Sequence, residues 1–245
     1  MKLLLISNST MAGEAYLGWP QKHISDFLNR HQVKKVCFVP YAGVSLSKKS
    51  LHDSFDQYSQ KVAEVFNEMG IVLESVHQAN NPVEMVRQSE AIVVGGGNTF
   101  HLVASLYEKG LMEVIREKVV AGTPYVGWSA GSNVACPTLM TTNDMPIVEP
   151  KSFKTLNLIP FQINPHYLDA NPEGHGGETR QQRIEEYLIM NPKMKVVGLR
   201  EGCLLLVEND ELQLMGSHSM HYFEHNHQPL EFEPGSDIDF LLKGH

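Results

Sequence analysis

The sequence predicts a doubly wound α/β fold in which a mostly parallel sheet carries helices on both faces. Short apolar runs of strand length, such as residues 3–7 and 91–94, alternate with longer segments of helical periodicity. These runs are almost continuously apolar, as expected of strands that are buried on both faces. They end in small or polar residues, and loops at the carboxyl ends of parallel strands bind ligands.

Four predicted strands and the helices between them make up the first half. The clearest helix spans residues 50–69, where large apolar residues recur at spacings of three and four and Gly70 follows as a C-terminal cap. Pro82 is a favourable first residue for a short helix that ends at residue 88. The other predicted elements up to residue 120 are strands at residues 3–7, 35–40, 71–76 and 91–94, a helix at residues 22–30, and helices from residue 99 onward.

Residues 95–97 are three consecutive glycines between a buried strand and a helix that begins near Thr99. A glycine turn at a helix N-terminus presents backbone N–H groups to negative charge, so a phosphate group or an oxyanion would suit it. The GxGxxG pattern and the Walker lysine are both missing, which argues against a nucleotide. The alternative is a tight turn that needs positive φ and binds nothing.

The segment Gly127-Trp128-Ser129-Ala130-Gly131 follows a short apolar run and precedes small residues that open a helix. In a nucleophile elbow, a serine occupies a strained turn between a strand and a helix, with its hydroxyl exposed above the sheet. The GxSxG pattern alone is a weak signal, because glycine and serine are common. The strand before it and the helix after it favour the elbow over an ordinary turn.

The second half continues the α/β pattern and carries further candidate residues. Its predicted elements are strands at residues 161–167 and 195–199, a helix at about residues 178–190, and loops at residues 141–146, 171–179 and 200–202. Asp144 lies in the first of these loops, and Glu201 lies in the last. His166 lies near the end of the first strand.

From residue 203 onward the sequence pattern changes to short runs of alternating apolar and polar residues separated by turn residues. The runs lie at residues 204–207, 212–215, 220–223 and 230–232. This pattern predicts an antiparallel, β-rich extension over residues 203–245. No polar linker or internal repeat interrupts the chain. Residues 1–245 are therefore predicted to form a single domain that includes the extension.

Composition and charge exclude several classes of function. The 245 residues carry a formal net charge of −8, which argues against nucleic acid or an anionic membrane as a partner. The three cysteines are far apart and lack CxxC spacing, so free thiols in a reducing compartment are expected. The apolar run at the N-terminus is too short for a signal peptide or a membrane span, and we expect a cytoplasmic protein.

A nucleophilic serine needs a base that removes its proton and a third group that orients the base. Of the twelve histidines, His166 is favoured as the base, because it follows the rigid Asn164-Pro165 pair at a predicted strand end. The orienting acid is either Asp144 or Glu201. The residues alone do not choose between them, since Asp144 also suits a turn and Glu201 also suits a solvated loop.

Five motifs in this order resemble the peptidase E (aspartyl dipeptidase) family of serine peptidases. They are GGGNT at residues 95–99, GWSAG at 127–131, TNDMP at 142–146, NPH at 164–166 and GETR at 177–180. The resemblance covers the chain from residue 3 to about residue 201. It implies a class I glutamine amidotransferase-like, or flavodoxin-like, sheet. It also implies an exopeptidase that cleaves Asp-X dipeptides without a metal or other cofactor. A homodimer is the candidate assembly, apart from what the resemblance implies.

The resemblance also implies roles for individual residues. The catalytic residues would be Ser129 as nucleophile, His166 as base and Asp144 or Glu201 as third member; the oxyanion hole would be Gly97 and Ala130; the substrate-binding residues would be Arg180, Asn98 and Thr99. Arg180 suits the aspartate side chain, because a guanidinium grips a carboxylate with two parallel hydrogen bonds. Its alternative role is to cap or solvate its own helix.

Other functions fit parts of the sequence. An α/β-hydrolase esterase would need the order serine, acid, histidine, and hence one of the histidines at 218, 221, 225 or 227. Those four histidines could instead bind a transition metal. A cyanophycinase-like or isoaspartyl peptidase would use the same serine and base with a different pocket. A non-catalytic module would use the glycine turn to bind a small anion.

Overall fold

The computed structural model describes residues 1–171, 174 and 176–243. The strands are β1 (Lys2–Ile6), β2 (Lys35–Val39), β3 (Val72–Ser75), β4 (Ala91–Val94), β5 (Tyr125–Trp128), β6 (Gln162–Tyr167), β7 (Lys195–Arg200), β8 (Cys203–Glu208), β9 (Glu211–Gly216), β10 (Met220–Glu224) and β11 (Leu230–Phe232). The helices are α1 (Gln21–Arg30), α2 (Leu51–Glu68), α3 (Pro82–Gln88), α4 (Thr99–Glu108), α5 (Leu111–Val120), α6 (Ala130–Asn133) and α7 (Arg180–Met190). Single turns of 3₁₀ helix lie at Val76–Gln78 and Asp239–Leu241. In this described part, no helix combines the length and apolarity that a membrane span requires.

Seven strands form the main sheet, in the order β3-β2-β4-β5-β1-β8-β9. The first five are parallel to one another, and β8 and β9 extend the sheet beyond β1 in antiparallel pairing. The predicted mostly parallel sheet is therefore confirmed. Because the five parallel strands point the same way, the loops that follow them lie along one edge.

Both faces of the main sheet are covered by helices. Leu3 and Leu5 of β1 pack in a core with residues of α4 and α5, whereas Leu4 and Ile6 pack in a second core with residues of α1 and α2. All four β1 side chains are buried. This coverage explains the continuous apolar runs, and it confirms the doubly wound architecture.

The other four strands form a second sheet, in the order β11-β10-β7-β6. The pair β6 and β7 is parallel, and β10 is antiparallel to β7. The sequence predicted these strands but not their separate sheet. An apolar run indicates that a strand is buried, but it does not indicate which strand it pairs with. The predicted extension over residues 203–245 is accordingly divided: β8 and β9 join the main sheet, and β10 and β11 join the second. Residues 244 and 245 lie outside the described residues.

A tight connection at residues 201 and 202 links β7 of the second sheet to β8 of the main sheet. Gly202 adopts a φ of +77°, and its N–H donates a 2.9 Å hydrogen bond to the side chain of Asn8, just beyond β1. The hydroxyl of Ser7 donates to the carbonyl of Leu199 in β7 at 2.7 Å. These bonds hold the carboxyl end of β7 beside that of β1.

The last α-helix, α7, begins with a capping box. The hydroxyl of Thr179 accepts a hydrogen bond from the N–H of Gln182, and the Gln182 side chain accepts one from the N–H of Thr179. This reciprocal pair ends the loop predicted over residues 171–179. Residues 172, 173 and 175 of that loop lie outside the described residues.

Candidate active site

Ser129 lies in a strained turn between β5 and α6. Its φ of +53° and ψ of −112° are unfavourable for a residue with a side chain. The flanking glycines permit the close packing around this turn, because a Cβ on Gly131 would overlap the carbonyl oxygen of Val94. A Cβ on Gly127 would likewise overlap the carbonyl oxygen of Gly131. This strand, turn and helix confirm the predicted nucleophile elbow.

His166 lies at an irregular step of β6, where the register with β7 shifts between Pro165 and Tyr167. Bulges of this kind re-aim a side chain, and here His166 has a φ of +52° and its Nε2 lies 2.9 Å from Oγ of Ser129. The backbone N–H of His166 donates a 2.9 Å hydrogen bond to the hydroxyl of Ser7. The fold thus brings the predicted nucleophile and base into hydrogen-bond contact.

Glu201 is the acid that contacts this histidine. Its Oε1 lies 2.7 Å from Nδ1 of His166, so Nδ1 contacts Glu201 and Nε2 contacts Ser129. When Nδ1–H donates to the carboxylate, Nε2 is left to accept the hydroxyl proton of Ser129, which is the tautomer that a base requires. The side chains of His166 and Glu201 are 39% and 44% exposed, so water can reach the pair.

Asp144, the other candidate acid, has different contacts. Its Oδ2 accepts hydrogen bonds from the N–H of Thr99 at 2.7 Å, from the Thr99 hydroxyl at 2.6 Å and from the Thr142 hydroxyl at 3.0 Å. Asp144 therefore lies at the N-terminus of α4, where the helix dipole favours a carboxylate. Within the described residues it makes no hydrogen bond to His166, which corrects its expected place as a triad member. Sequence could not separate the two acids, because each lies in a loop and its contacts depend on how distant segments of the chain pack.

Asn98 and Thr99, the predicted substrate-binding residues after the glycine turn, have internal partners. Asn98 caps α4, since its Oδ1 accepts from the N–H of His101 at 3.0 Å and its Nδ2 donates to the Met145 carbonyl at 2.8 Å. Asn98 still lines the cleft described below. Thr99 is buried, and its hydroxyl donates to Asp144. Thr99 therefore acts on the cleft by holding Asp144.

The backbone N–H groups of Gly97 and Ala130 are the candidates for an oxyanion hole beside Ser129. The glycine turn packs against the serine, because a Cβ on Gly96 would lie 2.9 Å from the Ser129 Cβ. Gly97 has a φ of +130°, and a Cβ there would overlap the Ala42 carbonyl oxygen. Among the residues that the structure describes, neither the Gly97 N–H nor the Ala130 N–H donates a backbone hydrogen bond. Both donors are therefore available to a developing negative charge.

A cleft of about 590 Å³ opens over Ser129, and one of its walls is aromatic. The hydroxyl of Tyr58 accepts a 3.1 Å hydrogen bond from Nε1 of Trp128 and donates one of 2.9 Å to the Gly96 carbonyl. Burial raises the pKa of Tyr58 to about 12, so this hydroxyl stays neutral. Tyr58 is one of the large residues whose spacing predicted the helix over residues 50–69, and that spacing does not reveal that its hydroxyl lies beside a cleft.

Lys61 places a positive charge at the same cleft. Its Nζ lies 4.1 Å from the centre of the Tyr16 ring, which is cation–π geometry. Lys61 follows Tyr58 by three residues on α2, so one helix face delivers both side chains. No motif marks this lysine, and an exposed lysine on a helix is usually only solvated.

Arg180 is the first residue of α7 and is partly buried. Burial lowers the pKa of its guanidinium and Arg183 lowers it further, whereas the charge of Asp144 raises it. Asp144 and Arg180 are thus close enough for their opposite charges to interact. Arg180 is not among the described residues that line the cleft.

The segment that carries Glu201 is held by an ion-pair network centred on Arg200. The Arg200 guanidinium donates two hydrogen bonds to Asp169, at 2.6 and 2.9 Å, and one of 2.6 Å to Glu231. It also donates to the carbonyl of Ser219 at 2.9 Å. These bonds tie the loop after β6 to the region of β10 and β11, and they fix the exit of β7 where Glu201 begins.

The C-terminal histidines were the alternative candidates for an esterase base or a metal site. In the structure they contact different partners. His218 Nδ1 lies 3.0 Å from the carbonyl oxygen of Glu201, His221 belongs to the Arg200 network, and His227 contacts a neighbouring backbone carbonyl. Over residues 1–171, 174 and 176–243 they form no group of three metal ligands. The geometry therefore favours neither alternative.

Comparisons with known proteins identify relatives over nearly the whole chain. The sequence matches the family model described as Peptidase family S51 over residues 3–215. A protein named Peptidase E from Nostoc sp. is 48% identical over 242 residues, which cover 99% of this chain and 97% of that protein. A protein named Peptidase E from Pasteurella multocida is 42% identical over 238 residues, which cover 97% and 99%. The solved structure of a peptidase from an acI-B1 actinobacterium supports the fold, with a TM-score of 0.70 at 17% identity over 97% of this chain and 96% of that one.

Proposed function

Because this chain belongs to peptidase family S51, we propose that it is a serine dipeptidase that cleaves the peptide bond after an N-terminal aspartate. The observation that carries this proposal is the hydrogen-bonded series from Ser129 Oγ through His166 to Glu201. Relatives named Peptidase E, similar over almost their entire length, support the choice of substrate.

In the proposed reaction, Ser129 Oγ attacks the carbonyl carbon of the aspartyl residue while His166 Nε2 takes the hydroxyl proton. The N–H groups of Gly97 and Ala130 bind the oxyanion of the tetrahedral intermediate. His166 then gives its proton to the amine of the leaving group as the peptide bond breaks. The aspartyl residue remains bound to Ser129 as an ester. A water molecule, deprotonated by His166, then attacks this ester, and His166 returns that proton to Ser129 Oγ as the ester bond breaks and aspartate is released. Glu201 holds the ring and stabilises its positive charge.

The charges around the cleft fit a dipeptide that begins with aspartate. Within the described residues, Oδ2 of Asp144 accepts three hydrogen bonds and Oδ1 accepts none. Asp144 therefore keeps an oxygen for the α-ammonium group, which distinguishes a free N-terminus from an internal residue. Arg180 is not among the described residues that line the cleft, but its charge interacts with that of Asp144, which does line it, and its guanidinium suits the substrate's side-chain carboxylate.

We also propose that the enzyme works in the cytoplasm. Its three cysteines, at positions 37, 136 and 203, are buried free thiols. Thiols that stay unpaired are typical of a reducing compartment.

The test is hydrolysis of Asp-Leu, Glu-Leu, Ala-Leu and β-Asp-Leu by the wild type, by Ser129→Ala and by Ser45→Ala. Ser45 is an exposed serine at the same cleft and serves as the matched control. We expect cleavage of Asp-Leu alone, abolished in Ser129→Ala and retained in Ser45→Ala. Cleavage of β-Asp-Leu instead would indicate an isoaspartyl or cyanophycinase-like pocket. Turnover of none of the four would contradict the proposal.

A further inference from the structure

A second group of reactive side chains lies on α2 and on the 3₁₀ turn that follows β3. It consists of His52, Asp56 and His77, and one ligand atom from each lies within 4.8 Å of the other two. Nε2 of His77 is 3.0 Å from Oδ1 of Asp56, and Nε2 of His52 is 3.6 Å from Oδ2 of the same carboxylate. Of the described residues that line the cleft, none belongs to this group.

The local structure explains why the three side chains meet. His52 and Asp56 are four residues apart, so they share one face of α2. His77 belongs to the turn Val76–Gln78, and its ring packs 5.8 Å from the ring of Phe55. The side chain of His77 is only 3% exposed, whereas that of His52 is 70% exposed. One ligand is therefore fixed by packing, and one is free to adjust.

A buried hydroxyl orients the fixed imidazole. Nδ1 of His77 lies 2.6 Å from Oγ of Ser75, and the Ser75 hydroxyl in turn contacts Ser59 Oγ at 2.9 Å and the Phe38 carbonyl at 3.5 Å. Metal-binding histidines generally donate their second ring N–H to such a partner, which fixes the ring and the tautomer. The partner at Nδ1 leaves Nε2 of His77 as the nitrogen that faces Asp56.

The donor set and its spacing suit a tetrahedral first-row transition metal ion. With bonds of about 2.0–2.1 Å, neighbouring ligand atoms around Zn²⁺ lie roughly 3.3 Å apart. Nε2 of His77 and Nε2 of His52 lie 3.0 and 3.6 Å from the two different oxygens of the Asp56 carboxylate, and one ligand atom of each residue lies within 4.8 Å of the other two. A small rotation of the exposed His52 side chain therefore brings the three donors to the spacing that the ion needs. Two imidazoles and one carboxylate are the protein ligands of several zinc sites, with water in the fourth position. Mg²⁺ and Ca²⁺ prefer an all-oxygen set.

We infer that His52 Nε2, the Asp56 carboxylate and His77 Nε2 form a binding site for Zn²⁺ or a similar transition metal ion. On binding, the ring proton of His77 occupies Nδ1 and donates to Ser75, whose own hydroxyl turns to the Phe38 carbonyl. The exposed Gln78 side chain, which donates to Asp56 at 2.8 Å, gives way to the ion. The metal then clamps α2 to the segment after the edge strand β3.

The clamp has a consequence for stability, because the ion binds the folded chain and not the separated elements. Metal binding should therefore raise Tm. Helix α2 also carries Tyr58 and Lys61, which line the cleft. Because no proposed step uses the ion, we expect the mechanism at Ser129 to stay intact.

The test uses the untagged full-length chain, freed of metal with a chelator and titrated with ZnCl₂ by calorimetry and with CoCl₂ by absorption. We expect one ion per chain, tetrahedral Co²⁺ absorption bands and a higher Tm with Zn²⁺. His52→Ala and Asp56→Asn should abolish these signals, and Ser75→Ala should weaken affinity by about 10-fold. His52 is exposed, so His52→Ala should fold normally, as should the control His227→Ala, which should bind like the wild type.

Two results would overturn the inference. One is the lack of a stoichiometric Zn²⁺ site in the wild type. The other is a site whose affinity and Co²⁺ spectrum are the same in His52→Ala and Asp56→Asn as in the wild type. Dipeptide hydrolysis by the metal-free protein is measured in parallel, so failure of the metal site and failure of the peptidase proposal are distinguishable.

Discussion

The backbone N–H of His166 donates a 2.9 Å hydrogen bond to the hydroxyl of Ser7, 159 positions earlier in the chain. The same hydroxyl donates to the Leu199 carbonyl at 2.7 Å. Ser7 therefore joins the end of β1 to the ends of β6 and β7. It holds the irregular step of β6 that aims the His166 ring at Ser129, so a residue outside the triad helps to set the distance for proton transfer.

Removal of this hydroxyl should misplace the ring without removing it. We expect Ser7→Ala to lower kcat for Asp-Leu by about 10- to 100-fold, with little change in KM. The free energy of unfolding should fall by about 1–3 kcal/mol, because buried partners lose their hydrogen bonds. Ser59→Ala, which removes a buried hydroxyl on α2 that donates to the Phe55 carbonyl, is the control. It should lose stability in urea titrations but keep its kcat, and equal kinetics for both variants would argue against the role of Ser7.

Substitutions of the two candidate acids, Glu201 and Asp144, should change different kinetic constants. Glu201→Gln should lower kcat by about 10³- to 10⁴-fold, because an amide can favour the wrong tautomer of His166. Asp144→Asn should mainly raise KM for Asp-Leu, by about 10-fold or more, because it removes the anion proposed for the α-ammonium group. Steady-state kinetics at neutral pH measure both. A greater loss of kcat in Asp144→Asn than in Glu201→Gln would reverse the assignment.

The glycine turn offers a test of the oxyanion hole with a matched control. A Cβ at Gly97 would press on the Ala42 carbonyl and displace the donor N–H, so Gly97→Ala should lower kcat by about 100-fold or more. Gly70 also has a positive φ, of +72°, but a Cβ there meets nothing within 4 Å. Gly70→Ala should cost about 1–2 kcal/mol of stability and leave kcat unchanged. Equal kcat values in the two variants would show that Gly97 is needed only for folding.

Selectivity for aspartate should depend on Arg180. Arg180→Ala should reduce kcat/KM for Asp-Leu by about 100-fold, because a charge-assisted pair is lost, and should barely change the slow hydrolysis of Ala-Leu. Arg183→Ala removes an exposed arginine one turn later on α7 and should change neither rate. Comparable losses on both dipeptides in Arg180→Ala would remove Arg180 from the specificity pocket.

The Arg200 network should make stability depend on acid pH. Hydrogen bonds from Arg200 hold the pKa of Asp169 below its usual value. A carboxyl group with a lowered pKa in the folded state stabilises fully above its unfolded pKa of about 3.9, and this contribution disappears as the pH falls through the folded pKa. Asp169→Asn should therefore lower Tm at pH 7, and its difference from the wild type should shrink below about pH 4. Thermal unfolding across this range measures the effect, and Glu117→Gln, at an exposed site on α5, should show no such trend. A difference in Tm that is independent of pH would contradict the ionic origin.

Local sequence patterns were sufficient to predict many of the structural elements of this molecule. The recurrence of apolar residues predicted α2 within one residue at each end, and the observed start at Leu51 follows from the Ser50 cap. Gly127 and Gly131 predicted the elbow because backbone packing there leaves no room for a Cβ. The Asn-Pro-His motif placed His166 at a strand end, which the structure confirms. In each case the cause lies within a few residues of the feature.

The sequence by itself determined the doubly wound fold and the elbow, and it indicated Ser129 and His166 as the candidate nucleophile and base. Only the tertiary structure decided that Glu201, and not Asp144, contacts His166, and that Ser7 supports it. It also revealed the second sheet and the meeting of His52 and Asp56 with His77. The physical reason is that apolar periodicity and glycine positions record burial and backbone conformation, which are local properties. A hydrogen bond between side chains far apart in the chain depends on how strands pair and turn, which no short segment encodes.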